Sequence, residues 1–82
     1  MTDQELLDRI IADPKVLGGK PVIRGTRLSV QMVLDRLGHG SSATELLDEY
    51  EGLSPDDIQA CLLFAARSLS AASFASLTVG SL

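Results

Sequence analysis

The chain has 82 residues, 45% of them hydrophobic and 22% charged, with a formal net charge of -4. That is one small globular domain with little core to spare, expected to gain stability from a partner or a second copy; disorder and a two-domain arrangement are excluded. A lone Cys61 cannot close an intrachain disulfide, no stretch reaches the roughly 20 apolar residues of a membrane span, and the opening residues lack a basic, apolar leader, so a cytoplasmic location is expected.

Thr2 and Glu5 stand at capping-box spacing and predict a short helical turn through Leu6 and Leu7. Arg9-Ile10-Ile11-Ala12 reads as a short strand that stops at Asp13-Pro14. Gly18-Gly19 then imposes a turn, Pro21 removes a backbone donor, and Val22-Ile23-Arg24 forms a second strand ended by Gly25. These strands are expected to pair with each other or, through their open edges, with a second chain across a twofold.

From Ser29 onward the apolar period is helical. Ser29 is the expected N-cap of a helix over Val30–Leu37, with Val30, Val33, Leu34 and Leu37 inward and Gly38 as its left-handed stop. Ser42 and Glu45 form a capping box for a second helix with Ala43, Leu46, Leu47 and Tyr50 inward, ending before Glu51. Ser54-Pro55-Asp56-Asp57 opens the third, with an N-cap serine, proline at the first position and two carboxylates in the first turn. Its buried stripe is predicted at Ile58, Cys61, Leu62, Ala65, Ala66 and Leu69. The fold class is therefore mainly α: a short, glycine-rich β segment over residues 9–28, a three-helix bundle of helix-turn-helix type over 29–69, and an uncharged tail over 70–82.

Charge is unevenly distributed. Residues 9–27 carry a balance of +4, from Arg9, Lys15, Lys20, Arg24 and Arg27 against Asp13, while the segments on either side are acidic. Lys15, Lys20, Arg24, Thr26 and Arg27 are thus the candidate DNA- or partner-binding residues, on a frame set by Pro14, Gly18, Gly19, Pro21 and Gly25. The alternative is that Arg24 and Arg27 neutralise the acidic helices. A recognition helix opening with Asp56 and Asp57 repels phosphate, so any DNA contact is expected from the basic segment. Leu63 and Phe64, with Phe74 and Leu77 of the tail, are read as a partner or oligomer interface. His39 is a solvated loop residue and Cys61 a small core hydrophobe. No metal site, cofactor cradle or nucleophile–base pair can be assembled, since Gly18-Gly19-Lys20 lacks the spacing of a phosphate-binding loop, and the chain is expected not to be an enzyme.

The run Asp13-Pro14-Lys15-Val16-Leu17-Gly18-Gly19-Lys20-Pro21-Val22-Ile23-Arg24-Gly25-Thr26-Arg27, with Glu45-Leu46-Leu47-Asp48-Glu49-Tyr50 and Leu53-Ser54-Pro55-Asp56-Asp57-Ile58, closely resembles the domain of unknown function 433 family over about residues 9 to 67. The resemblance implies an antitoxin-like protein with a homeodomain-like helix-turn-helix. It implies binding to a PIN-type nuclease toxin and occupation of operator DNA to repress transcription. A homodimer or higher oligomer is expected on physical grounds. The competing reading is a protein interaction or oligomerisation module that touches no DNA.

Overall fold

The structure is a computed structural model that describes residues 1–70. Four helices surround a two-stranded antiparallel sheet: α1 (Asp3–Leu7), β1 (Ile10–Ile11), a single 3-10 turn (Leu17–Gly19), β2 (Val22–Ile23), α2 (Val30–Gly38), α3 (Ala43–Glu49) and α4 (Pro55–Ser70). The mainly helical class follows, with α1 as a fourth helix packed on α4.

Each helix begins where a hydroxyl side chain can accept an otherwise unpaired amide. Thr2 and Ser42 form complete capping boxes with Glu5 and Glu45, and the Ser29 hydroxyl accepts from the Met32 amide at 3.0 Å. Gly38 is not the left-handed stop of α2. The left-handed position belongs to Gly40, at φ +99°. The amides of Gly40 and Ser41 reach back to the carbonyls of Leu37 and Arg36 at 3.1 and 3.0 Å, the paired bonds of a Schellman stop. Gly38 is simply the last helical residue.

In the sheet, Ile10 faces Ile23 and Ile11 faces Val22. The other edge of β2 is also covered: Val22 bridges to Ser29, and the Ile23 amide donates to the Leu28 carbonyl at 2.9 Å. So β2 is a central strand, and the open strand edge expected to recruit a second chain is reduced to the two residues of β1.

The core is Ile23, Val30, Val33, Leu46, Leu53, Ile58 and Cys61, flanked by Ile10, Leu28, Leu34, Leu37, Tyr50 and Phe64 among others. Aliphatic side chains carry it, and β2 is wholly inside. Two inward assignments shift. Ala43 is exposed. On α4 the buried positions are Asp57, Ile58, Ala60 and Cys61, with Phe64 packed against the core, whereas Leu62 and Leu69 are 50% and 56% exposed and Ala66 faces out as well. The helix is rotated because a carboxylate, Asp57, occupies the inner face and is paired there. No helix among the described residues is long and apolar enough to cross a membrane.

Candidate functional site

The five cations of residues 9–27 take different roles in the fold. Arg9 is structural. Its Nη1 donates to Asp57 Oδ1 at 3.0 Å and its Nη2 lies 3.6 Å from Asp56 Oδ2. Asp57 is only 6% exposed, and its second carboxylate oxygen accepts the Ser54 amide at 3.0 Å while the Ser54 hydroxyl accepts the Asp57 amide at 3.2 Å. This reciprocal cap plus a guanidinium closes the N-terminus of α4. An incoming phosphate finds the Asp57 amide already bonded and two carboxylates against one guanidinium, a net negative charge that repels it.

Arg24 is also engaged, through Nη2 donating to the Asp8 carbonyl at the end of α1, while its own amide donates to the Arg9 carbonyl at 2.7 Å. Arg24 therefore fastens the α1 terminus rather than an acidic helix face. Among the described residues, Lys15, Lys20 and Arg27 enter no ion pair, and all three are exposed.

Those three sit on two turns separated by β2. The first begins at Asp13, whose side chain accepts the Lys15 amide at 2.9 Å and whose carbonyl accepts the Val16 amide at 2.9 Å, with Pro14 at the second position of the turn. It continues through Leu17, Gly18 and Gly19 at φ +50°, +66° and +87°. A left-handed run of this kind explains the glycine pair. It ends at Pro21, whose carbonyl accepts the Val30 amide at 3.0 Å. The second turn runs Ile23-Arg24-Gly25-Thr26, with the Thr26 amide 3.0 Å from the Ile23 carbonyl and Gly25 at φ +80°, the geometry of a type II turn. The Thr26 hydroxyl donates to the Ile23 carbonyl at 2.7 Å and accepts the Leu28 amide at 3.0 Å. Thr26 thus shapes the turn that presents Arg27.

Lys15 and Lys20 lie before the strand, Arg24 and Arg27 after it. From Lys20 to Arg24 is roughly 13 Å of extended backbone at about 3.3 Å per residue, beyond the ~8 Å screening length at physiological salt. Positive potential therefore has two centres, one at each end of β2.

A second arginine staple was not legible from spacing. Arg36 of α2 donates to Glu49 Oε2 at 2.6 Å, to the Tyr50 hydroxyl at 3.3 Å and to Ser41 Oγ at 3.3 Å. The Arg36 hydrogen bond holds the Glu49 carboxyl below the usual range, and the same contact raises the guanidinium. His39 is exposed, with Nδ1 2.6 Å from the Asp35 carbonyl. Cys61 is fully buried, and burial, with the nearby Asp57 charge, pushes its thiol up to about 11. Such a thiol is a packing group rather than a nucleophile. Of the expected interface residues, Leu63 and Phe64 are half-buried; Phe64 turns toward the core. Phe74 and Leu77 lie outside the described residues.

Two comparisons with known proteins carry the same family description. Residues 10–65 match the family described as "Protein of unknown function (DUF433)". The uncharacterized protein y4eO of Sinorhizobium fredii is 32% identical over 56 residues, covering 68% of this chain and 25% of the longer protein. The crystal structure of a DUF433 member protein from Anabaena variabilis superposes with a TM-score of 0.73 at 31% identity, over 82% of this chain and 66% of that one. The chain thus spans about a quarter of the curated relative and just under two thirds of the solved one.

Proposed function

Because the chain belongs to the DUF433 family, we propose that it is an antitoxin-like component of a toxin–antitoxin module, binding a PIN-type nuclease toxin and operator DNA for autorepression. The observation that carries the DNA part is the pair of turns flanking β2. They present Lys15, Lys20 and Arg27 without an intramolecular counter-charge among the described residues, on a chain of net charge -4. The toxin part rests on the Gly-Gly-Lys-Pro and Gly-Thr-Arg motif resemblance.

In this reading α3, the connection over residues 50–54 and α4 make a homeodomain-like helix-turn-helix that acts as a platform. The first turn of α4 does not read bases, because Asp56 and Asp57 face Arg9. Binding is then dominated by phosphate contacts and is steeply salt-dependent. Three neutralised phosphates give a slope of about -3 in log affinity against log salt for each protomer. Fluorescence anisotropy on a duplex from upstream of its own gene, between about 50 and 200 mM salt, measures that slope. Lys15→Ala with Arg27→Ala reduces it by about 2 and leaves helical circular dichroism intact. In parallel, the purified chain inhibits the nuclease encoded beside it. A chain that neither binds the duplex at low salt nor inhibits that nuclease ends the proposal.

The competing interaction module without DNA is favoured by the closed, acidic start of α4. It predicts an unchanged oligomer and no measurable duplex binding for both the parent and the double variant.

A further inference from the structure

Between α2, α4 and the loop entering β2 lies a groove of 520 Å³, walled by Val30, Leu34, Phe64 and Leu69 with Lys20 and Asp35 at its margin. Leu69 is 56% exposed there, so a large apolar side chain stands at the rim with water on one side. Burying such a surface is favourable, and in a chain this small it is a sizeable part of the available apolar area.

The two charges identify the occupant. Lys20 precedes Pro21, whose carbonyl is bonded to the Val30 amide at the first residue of α2, so it marks the N-terminal end of the groove. Asp35 stands five residues further on, about 7.5 Å along the helix axis. Among the described residues neither side chain has an ion-pair partner. A groove with a cation at one end and a carboxylate at the other is complementary to its own reversed copy. A twofold perpendicular to α2 sets Lys20 of each protomer opposite Asp35 of the other. The sheet offers no comparable contact, since β2 is paired on both sides and β1 has two residues.

We infer that the α2–α4 groove is the contact face of a twofold homodimer, occupied by the same face of a second copy with Leu69 of each protomer entering the groove of the other and two Lys20–Asp35 pairs fixing register. The inference concerns the chain alone and does not need the DNA and toxin reading, but it draws on one of the same cations: in the dimer Lys20 is paired with Asp35, leaving Lys15 and Arg27 for phosphate and a salt slope of about -2 for each protomer.

A charge-swap experiment by sedimentation equilibrium on the full chain at low salt tests it. The parent is dimeric at tens of micromolar. Lys20→Glu and Asp35→Lys each raise the dimer dissociation constant by at least about tenfold, since each variant meets like charges twice across the twofold. Mixed one to one, the two variants restore the dimer, because every contact in the heterodimer is again between opposite charges. Circular dichroism verifies that both variants keep the parent's helix content. A parent that stays monomeric at about 200 μM overturns the inference, as does a dimer indifferent to both reversals or one that mixing does not restore. Monomers in which truncation after Ser70 shifts the Leu34 and Leu69 methyl resonances also overturn it, in favour of the chain's own C-terminal residues as the occupant.

Discussion

The N-terminus of α4 and the two turns flanking β2 contain the same kinds of side chain put to opposite uses. At α4 the carboxylates of Asp56 and Asp57 and the guanidinium of Arg9 face one another, with Asp57 buried. On the turns, Lys15, Lys20 and Arg27 stand in solvent. The first region spends its charge on holding residue 9 against residue 57. The second keeps its charge available. Local charge excess therefore overstates the uncompensated charge: of the five cations between residues 9 and 27, Arg9 is neutralised by carboxylates, and Arg24, hydrogen-bonded only to a backbone carbonyl, keeps its charge.

That contrast can be broken most forcefully at Asp57. Asp57→Ala leaves Arg9 only its 3.6 Å contact with Asp56 and removes one acceptor of the α4 cap, and is expected to lower unfolding stability by about 1–3 kcal/mol, read from urea denaturation. A loss below about 0.5 kcal/mol would mean the pair is ornamental. The basic turns are sharpened by Gly25→Ala. At φ +80° with open space around the missing Cβ, the cost is conformational rather than steric, about 1–2 kcal/mol in thermal or urea unfolding. Equal stability of the variant and the parent would show that the turn does not hold its left-handed geometry.

The smallest effect belongs to the exposed Arg36–Glu49 staple. Glu49 has a folded-state pKa below its ordinary 4.5, so its contribution is fully present above that value and is lost as pH falls through the lowered folded value. Glu5, held down first by the Thr2 amide and then by the Thr2 hydroxyl, acts in the same sense. Melting temperature therefore declines below about pH 4.5, and Glu49→Gln makes that decline shallower. An unchanged acid limb in Glu49→Gln would remove the staple from the account.

Local chemistry was readable from residue order. The hydroxyls of Thr2, Ser29, Ser42 and Ser54 start helices because each satisfies an amide three positions away. The strands, the glycine turns and the family motif are equally short-range. What escaped was long-range or competitive. The choice between Gly38 and Gly40 depended on which carbonyls the returning chain could reach. The rotation of α4 depended on a partner 48 residues away: an aspartate reads as solvent-facing until Arg9 is known to meet it. Leu62 and Leu69 then read as core because apolarity alone cannot tell an inner face from an unpaired outer one. For the candidate site, the motif located the turns, while the division between engaged and free cations required the tertiary contacts.

Joining residues 9 and 57 also orders the assembly of the molecule in time. Closing a loop of 48 residues costs about 2.5 kcal/mol more chain entropy than closing one of three, on the (3/2)RT ln n scaling. Capped helices and tight turns are cheap and nucleate early, and the clasp between the two ends of the domain shuts after them. Loss of that clasp accordingly registers in how fast the native state opens more than in how fast it is reached.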